Sequence, residues 1–450
     1  MYDLAIIGGG PGGYVAAERA GHKGLKVVLF EQKRLGGVCL NEGCIPTKTL
    51  LYSAKVYDSA KEAGKYGITI PQVGFEFGKI MDRKNKVVNK LVAGIGASMK
   101  RFKVEVVNAK AEITGKNEEG IQIKAGDKTY ECKNLLLCTG SEAFVPPIKG
   151  VDKSTLYTNR EILDVKELPS SITIIGGGVI GMEFASFFGS MGTKVTVVEM
   201  LPEILGGLDG EISAMLRAEM IKKGIDIHLN SKVTEIKGKE VIFEKEGKTE
   251  SITSDIILMS VGRKAVTQGL GLEKIGVELE RGAVKIDRHC RTNIPNVYAA
   301  GDITGFSMLA HTASREGEVA VNNITGYKDI MRYNAIPGIV YTNPEVSGVG
   351  LTEQDCKKQG IEYKTAKLPM SYAGRFIAEN EGKSGLCKII VGAKYQEILG
   401  VHMIGNPSSE MIYGAAMAIE AQLRVKDMKE IVFPHPTVSE IMKETFFEIH

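Results

Sequence analysis

One pattern occurs twice in this chain of 450 residues, and it limits the possible folds more than any other feature. An apolar run, a glycine-rich turn, a helix-like segment, a second apolar run and an acid follow one another over residues 4–31 and again over 172–199. The first glycine and the acid are 23 positions apart in both copies (31 − 8 and 199 − 176). The defining residues are Gly8, Gly10, Gly13 and Glu31 in the first copy, and Gly176, Gly178, Gly181 and Glu199 in the second.

Each copy is typical of a strand–turn–helix–strand unit that binds a dinucleotide. The glycines permit a tight turn and let the backbone approach a pyrophosphate, which then lies at the N-terminus of the helix. The acid can accept hydrogen bonds from a ribose diol. Glu199 is followed at 200–203 by no arginine that could hold a 2′-phosphate, so the second unit is predicted to bind NAD and not NADP. Two complete units predict two separate dinucleotide sites, where a single glycine motif would be weak support.

The remaining apolar runs complete the predicted fold class. Runs that end in glycine at 135–141, 256–263 and 296–302 predict parallel strands buried on both faces, with ligands beyond their carboxyl ends. Beyond residue 333, alternating strand-like pieces precede a helix predicted over 408–422. We therefore predict an α/β protein with two Rossmann-like dinucleotide-binding domains and a C-terminal α+β domain. The predicted domain boundaries are 1–145, 146–264, 265–333 and 334–450.

Composition excludes several classes of protein. The chain is 43% hydrophobic and 25% charged, which is ordinary for a globular protein, and its net charge of +3 implies neither a nucleic-acid nor a membrane partner. Seven scattered cysteines do not form a secreted disulfide framework, and no cysteine–histidine cluster has metal-ligand spacing, so no metal is predicted. No apolar run has the length of a membrane span, and the first residues are predicted to form a strand and not a signal peptide. We expect a cytoplasmic protein.

Two cysteines, Cys39 and Cys44, lie five positions apart just after the first nucleotide unit. Pro46 is tolerated in the first turn of a helix, and the positive partial charge of a helix start, with Lys48 close by, favours reactive thiolates. A redox pair is one interpretation of this segment. Taken alone, two cysteines at this spacing are more often unpaired or structural, so both interpretations stay open on the residues themselves.

With these motifs in place, the whole chain resembles the flavin-dependent pyridine-nucleotide disulfide oxidoreductases. Residues 37–48 are similar to the family's redox-disulfide signature, 300–302 to its second flavin motif and 434–440 to its histidine-base motif. Residues 308–311, and Val179 in place of a gating tyrosine, are most similar to the members that oxidise dihydrolipoamide. The resemblance implies an FAD-binding domain at 1–145, an NAD-binding domain at 146–264, a central domain at 265–333 that completes the FAD site, and a dimerisation domain at 334–450.

The resemblance also assigns roles to individual residues. Cys39 exchanges with the substrate, Cys44 faces the flavin, His435 is the base and Glu440 orients it. Lys48 and Glu183 match a charge pair beside the flavin ring. The implied FAD contacts are Gly8, Gly10, Gly13, Glu31, Lys48, Ala111, Thr139, Gly140, Ser141, Asp302, Met308, Leu309, Ala310 and His311. The implied NAD contacts are Gly176, Gly178, Val179, Ile180, Gly181, Glu183, Glu199, Val233 and Gly262.

The implied activity is oxidation of protein-bound dihydrolipoamide to lipoamide with NAD+ as acceptor. The implied partners are a second copy of the chain, whose disulfide His435 would reach, and the lipoyl domain of an E2 acyltransferase or a glycine-cleavage H-protein. One departure from the family is visible, because Phe433-Pro434 stands where relatives often have His-Ala. Two alternatives remain: another NAD(P)H-dependent reductase, acting on glutathione, coenzyme A or protein disulfides, and a flavin-binding sensor protein without turnover.

Overall fold

The computed structural model describes residues 1–152 and 155–450. Contacts divide the chain into two units: residues 1–49, 81–144 and 262–332 form unit 1, and residues 50–80, 145–261 and 333–450 form unit 2. The helices are α1 (Pro11–His22), α2 (Gly37–Glu42), α3 (Cys44–Lys61), α4 (Phe77–Arg101), α5 (Val179–Ser190), α6 (Gly210–Lys222), α7 (Ala310–Ile324), α8 (Glu353–Gln359), α9 (Gly374–Glu379), α10 (Ser408–Glu420), α11 (Val425–Glu430) and α12 (Glu440–Phe447). The strands are β1 (Tyr2–Ile7), β2 (Val27–Phe30), β3 (Glu105–Val107), β4 (Ala111–Lys116), β5 (Ile121–Ala125), β6 (Lys128–Leu137), β7 (Ser141–Ala143), β8 (Ser171–Ile175), β9 (Lys194–Val198), β10 (Asp226–His228), β11 (Ser231–Lys237), β12 (Glu240–Lys245), β13 (Lys248–Thr253), β14 (Ile256–Met259), β15 (Arg263–Ala265), β16 (Leu279–Glu280), β17 (Ala283–Val284), β18 (Val297–Ala299), β19 (Gly338–Val340), β20 (Val346–Gly350), β21 (Tyr363–Pro369), β22 (Leu386–Gly392) and β23 (Ile398–Ile404).

Unit 1 is built on a seven-stranded sheet whose central strands are parallel. Strands β3, β2, β1 and β6 lie side by side in that order, and β18 pairs with β6 in parallel. Strands β5 and β4 extend the sheet in antiparallel fashion. The run Leu4–Ile7 in β1 is at most 4% exposed, as expected of a parallel strand that is buried on both faces. Helix α1 connects β1 to β2, so the first copy of the repeated pattern is a βαβ unit.

Unit 2 contains the second copy. Strands β10, β9, β8 and β14 form a parallel sheet, and helix α5 connects β8 to β9. A separate antiparallel sheet of β11, β12 and β13 follows. Its inner residues Ile236 and Val241 share a hydrophobic cluster with Ile257 and Met259 of β14, which joins the two sheets into one core.

The C-terminal part of unit 2 is an antiparallel sheet in the order β19, β20, β23, β22, β21. Ile389 and Val401 on this sheet are fully buried, in one cluster with Ile412 of α10 and Ile441 of α12. The helix predicted over 408–422 ends earlier, at Glu420. The reason is local, because Gln422 takes a left-handed backbone conformation with φ of 57° and cannot continue the helix.

The predicted fold class is confirmed: two Rossmann-like sheets and a C-terminal α+β part are all present. The four predicted domains, with their three internal boundaries, stay a prediction. The two units break at 144/145, 261/262 and 332/333, and residues 50–80 group with unit 2.

A buried lysine in unit 2, Lys388, forms ion pairs with three carboxylates. The Nζ atom of Lys388 lies 2.9 Å from Oδ2 of Asp209 and 3.1 Å from Oε2 of Glu211, and it also pairs with Glu353. The side chains of Lys388 and Asp209 are each only 1% exposed. Burial lowers the pKa of Lys388, but the hydrogen bonds that it donates to Glu353 and Asp209 outweigh burial and raise the pKa to about 12. The lysine is therefore charged at neutral pH, and it neutralises carboxylates on α6 and α8.

We expect Lys388→Ala to destabilise the protein by about 3 kcal/mol, because it leaves the buried carboxylate of Asp209 without its cation. The free energy of unfolding, taken from urea titration, measures the loss. The double variant Lys388→Met, Asp209→Asn removes both charges and keeps a good N-cap residue for α6, so it should recover part of that loss. A Lys388→Ala protein within about 0.5 kcal/mol of the original would contradict this account.

Candidate active site

The first glycine loop joins β1 to α1, and the three glycines of the motif have two different roles in it. Gly8 has φ of 109°, and a Cβ atom there would lie 2.2 Å from the carbonyl oxygen of Cys138. A Cβ atom on Gly13 would lie 1.8 Å from the carbonyl oxygen of Gly8. A Cβ atom on Gly10, the N-cap of α1, would have no neighbour closer than 3.7 Å. Two glycines therefore allow the tight turn, and the third leaves space at the start of the helix.

The second glycine loop, between β8 and α5, repeats this geometry. Gly176 has φ of 106°, and a Cβ atom there would lie 2.6 Å from the carbonyl oxygen of Ser260. A Cβ atom on Gly181 would lie 2.1 Å from the carbonyl oxygen of Gly176. Gly178, at the N-cap of α5, has nothing within 4 Å of such a position. The internal repeat in the sequence is thus a repeat in three dimensions.

The two acids hold their own loops by the same pair of hydrogen bonds. Oε2 of Glu31 accepts from the amide of Gly9 at 2.8 Å, and Oε1 accepts from the amide of Lys33 at 2.7 Å. Oε2 of Glu199 accepts from Gly177 at 2.6 Å, and Oε1 accepts from Leu201 at 2.7 Å. Each carboxylate oxygen keeps capacity for a further donor. The acids therefore fix the loop and can still receive a ribose hydroxyl.

The residues at both loops fit a dinucleotide. Helices α1 and α5 begin with no side-chain cap and no acid in the first turn, so their amide groups and positive partial charge are open to an anion. No atom lies closer than 3.7 Å to the Cβ position of Gly10, and none lies within 4 Å of that of Gly178, so neither helix start is blocked by a side chain. The acid lies at the end of the next strand, where a ribose would follow. No acid in the first turn of either helix opposes a negative ligand.

Cys39 and Cys44 form a disulfide, with 4.7 Å between their Cα atoms. Cys39 lies in α2 and Cys44 is the first residue of α3, and both are half-buried. Helix α2 rests directly on the first glycine loop, because the amide of Gly36 donates to the carbonyl of Gly9 at 2.8 Å. A Cβ atom on Gly37 would lie 2.6 Å from Cα of Gly10. The disulfide segment is therefore held against the first glycine loop.

The other cysteines differ from this pair. All of them are buried free thiols, namely Cys132, Cys138, Cys290, Cys356 and Cys387. Burial raises the pKa of Cys132 and of Cys387 to about 12, and burial with the nearby carboxylate of Glu316 raises the pKa of Cys138. Protonated, buried thiols are poor nucleophiles. The half-buried disulfide is thus the redox-capable sulfur site among the described residues.

The segment predicted as a second flavin motif holds a small polar network in unit 1. The hydroxyl of Ser141 donates to Oδ2 of Asp302 at 2.5 Å and accepts from Nε of Arg263 at 2.7 Å. The amide of Gly301 donates to the fully buried carboxylate of Glu316 at 2.6 Å. Sequence reasoning missed Arg263 and Glu316. A lone arginine after Gly262 and a glutamate inside α7 follow no spacing rule that would have singled them out.

His435 and Glu440 are hydrogen-bonded, with 2.9 Å between Nδ1 and Oε1. Oε2 of Glu440 accepts from the amide of Thr437 at 2.9 Å. The Thr437 amide, with His435 next in importance, lowers the pKa of Glu440, so this carboxyl stays ionised at neutral pH. The His435 side chain is 79% exposed. Because Nδ1 is engaged, Nε2 is the ring nitrogen that can take up a proton from outside.

Lys48 and Glu183 belong to different units, and their predicted pairing stays a prediction. Lys48 is half-buried on α3, whereas Glu183 is 3% exposed on α5, where its Oε1 accepts from the amide of Tyr341 at 3.0 Å. The hydroxyl of Thr139 donates to the carbonyl of Val266 at 2.6 Å.

The other predicted contacts lie at the ends of strands and helices. Ala111 begins β4, Gly140 precedes β7, Met308 and Leu309 precede α7, Ala310 and His311 begin it, Val179 and Ile180 begin α5, Val233 lies in β11 and Gly262 precedes β15. Over residues 1–152 and 155–450, no group of three or more His, Cys, Asp or Glu side chains is arranged to hold a metal ion. In the same part of the chain, no helix combines the length and the apolar character needed to cross a membrane.

Comparison with protein families assigns most of the chain. A family model described as pyridine nucleotide-disulphide oxidoreductase matches residues 2–317. The model for the dimerisation domain of the same proteins matches residues 336–446.

Three known proteins illustrate the similarity. Dihydrolipoyl dehydrogenase of Geobacillus stearothermophilus is 38% identical over 450 residues, which cover 98% of this chain and 95% of the relative. The mitochondrial dihydrolipoyl dehydrogenase of Homo sapiens is 38% identical over 455 residues, with 98% and 89% covered. The solved structure of the HOCl-induced flavoprotein disulfide reductase RclA from Escherichia coli is similar with a TM-score of 0.88 at 29% identity, and 100% of each chain is covered.

The paired acids offer a matched test of the two loops. In Glu31→Gln and in Glu199→Gln, one of the two amide donors loses its acceptor and the negative charge disappears. Glu31→Gln should lower the flavin absorbance per protein without changing the affinity of the flavin-loaded fraction for NADH. Glu199→Gln should keep the flavin and weaken NADH binding about tenfold in a fluorescence titration. If both variants changed the same cofactor, or neither, the assignment of one loop to each cofactor would be wrong.

Proposed function

Because this chain belongs to the pyridine nucleotide-disulphide oxidoreductases, we propose that it oxidises protein-bound dihydrolipoamide to lipoamide with NAD+ as the final acceptor. The chain is an FAD- and NAD-dependent oxidoreductase with a redox disulfide. The observation that carries the proposal is the Cys39–Cys44 disulfide, whose segment packs against the first glycine loop. Full-length identity of 38% to a dihydrolipoyl dehydrogenase supports the choice of substrate.

The proposed chemistry is a thiol–disulfide exchange. A substrate thiolate attacks Sγ of Cys39, so a mixed disulfide forms and Cys44 leaves as a thiolate. The second substrate thiol, once deprotonated, attacks the substrate sulfur of the mixed disulfide and releases Cys39. The substrate loses two electrons and two protons in becoming a cyclic disulfide. The pair Cys39 and Cys44 gains the two electrons, and the two protons pass to His435 and to the released Cys39 thiolate. Half-burial of both cysteines is consistent with access for a small dithiol.

The base in this proposal is His435. Its Nε2 takes the proton from the attacking thiol, because Glu440 holds Nδ1 and stabilises the charged ring. The lowered pKa of Glu440 keeps that carboxylate charged throughout the neutral range. The ring therefore stays oriented at every pH at which a thiol substrate can be deprotonated by it.

The cofactors complete the redox cycle. When bound, FAD supplies a two-electron acceptor for the protein dithiol and NAD+ supplies the terminal hydride acceptor. The first loop, with Gly10 and Glu31, would hold the FAD pyrophosphate and ribose, and the second, with Gly178 and Glu199, would hold NAD. The engaged carboxylate of Glu199 disfavours a 2′-phosphate, which is why the second loop is assigned to NAD.

The chain carries a dimerisation domain, which supports a homodimer. We propose that His435 of one subunit serves the Cys39–Cys44 disulfide of the other. The protein partner in this proposal is a lipoyl-bearing carrier, either the lipoyl domain of an E2 acyltransferase or a glycine-cleavage H-protein. The cytoplasmic location stays a prediction from sequence.

A second candidate function comes from the likeness to RclA, which is named as a disulfide reductase. In this second candidate function, the reaction proceeds in the opposite direction, and the enzyme reduces a disulfide with NADH or NADPH. Parallel assays with dihydrolipoamide and NAD+, and with lipoamide, oxidised glutathione and coenzyme A disulfide against NADH and NADPH, separate the two. Preference for any disulfide over lipoamide would favour the second candidate.

Cys39→Ser should abolish dihydrolipoamide turnover, because the exchanging sulfur is lost, while the flavin absorbance per protein stays the same. Cys356→Ser is the matched control, since Cys356 is a buried free thiol on α8 and should leave turnover unchanged. Retention of full activity by Cys39→Ser would remove the disulfide from the reaction.

His435→Gln should lower kcat by about 10²- to 10⁴-fold, which is the usual contribution of a general base. The flavin absorbance should be unchanged. A loss smaller than tenfold would show that another group takes the proton.

A mixture of Cys39→Ser and His435→Gln subunits tests whether the disulfide and the histidine of one site come from different subunits. If His435 acts on the other subunit, each mixed dimer contains one intact site, and random re-association restores about a quarter of the original activity. If both groups act within one subunit, the mixture stays inactive.

A further inference from the structure

Helix α4 carries an unusual excess of positive charge. Its sequence contains seven basic residues and one acid, Asp82. Six of the basic residues are exposed, and the seventh, Lys84, is 3% exposed. The basic residues are Lys79, Arg83, Lys84, Lys86, Lys90, Lys100 and Arg101. The whole chain has a net charge of only +3, so this helix concentrates positive charge that the rest of the molecule offsets.

Three of these side chains form one face, which we call the basic stripe: Arg83, Lys86 and Lys90. Their spacing of three and four residues places them on the same side of a helix, over about 10 Å of its length. The residues that bury the helix, Met81 and Val88, lie on the opposite side. The basic stripe therefore lies on the side of α4 opposite these two residues, and its Lys86 and Lys90 are exposed.

Helix α4 is fastened to the segment that bears the disulfide. Nη1 of Arg83 donates to the carbonyl of Thr49, in the helix that Cys44 begins, at 3.0 Å. Nη2 of Arg34 donates to Oδ1 of Asn89 at 2.9 Å, and Arg34 lies just before the helix that contains Cys39. The stripe and the redox segment are thus parts of one local structure in unit 1.

The stripe is unfavourable for the helix itself. Like charges at a spacing of four residues, as at Lys86 and Lys90, repel each other, and the one acid of the helix, Asp82, is placed to attract only Lys86 of the two. Neither lysine takes part in an ion pair within residues 1–152 and 155–450 that would offset this. A local conflict of this kind is expected where a residue pattern serves function and not folding.

We propose that the basic stripe is the docking surface for an acidic protein domain that carries the dithiol substrate. The inference rests on the proposed function, because it takes protein-bound dihydrolipoamide as the substrate. A row of exposed cations about 10 Å long matches a protein surface and exceeds a small dithiol, which is uncharged and needs no cation. Its position beside the disulfide segment brings the carrier to the site of exchange. Steering by such a patch raises the rate of encounter and loses strength with salt.

The test compares two substrates with one set of variants. The substrates are free dihydrolipoamide and a purified, reduced lipoyl domain of net negative charge. Lys86→Glu with Lys90→Glu should lower kcat/KM for the acidic domain at least tenfold at low salt. The same variant should change kcat/KM for free dihydrolipoamide less than about twofold, because no charge contact is lost. Lys86→Gln with Lys90→Gln should give an intermediate loss with the acidic domain.

The matched control is Lys124→Glu with Lys128→Glu, which reverses two exposed lysines at the β5–β6 turn. This control should leave kcat/KM for both substrates unchanged. The flavin absorbance and the thermal midpoint of each variant should show that it is folded. At high salt the difference between the original protein and the stripe variant should shrink, since a Debye length of about 3 Å at 1 M screens exposed charges.

The outcomes separate the two proposals. If the original protein fails to oxidise free dihydrolipoamide, the proposed function falls and this inference falls with it. If free dihydrolipoamide is oxidised and the stripe variant loses nothing with the acidic domain, or the control loses as much, only the docking surface is refuted. A selective, salt-sensitive loss in the stripe variant supports it.

Discussion

The contact between α2 and the first glycine loop is the constraint on which the site depends. Gly36 donates to Gly9, and Gly37 lies so close to Gly10 that a side chain on Gly37 would overlap the backbone. The disulfide segment can approach the loop this closely because Gly37 has no Cβ atom. A larger residue at position 37 would separate the sulfur site from the first glycine loop, although each element could still form. Redox chemistry and nucleotide binding are thus coupled by backbone packing.

Much of the fold could be predicted because its signals are local. The glycines, the buried strands and the closing acids recur at equal spacing. Because βαβ units depend on short-range patterns of turns and apolar runs, the fold class could be predicted from the residues alone. The family motif around His435 likewise led to Glu440, five residues away. By contrast, the end of α10 depends on the backbone conformation of Gln422, which no periodicity reports.

Other features depend on tertiary contacts and could not be predicted. The charges around Lys388 come together from positions up to 179 residues apart, so sequence spacing carries no sign of them. The acids at the two loops were interpreted only as ribose acceptors, since a ligand contact and a loop anchor require the same residue type. The basic stripe is different, because its helical spacing is visible in the sequence and went unrecognised for want of a motif.

The hydrogen bonds of Glu31 and Glu199 have a consequence for ligand binding. Each carboxylate fixes its glycine loop through two backbone amides of the chain itself. The entropy lost in ordering these loops therefore belongs to folding, and binding does not repeat it. Both loops are therefore preorganised for their nucleotides, and at the second loop this applies to each NAD+ that binds.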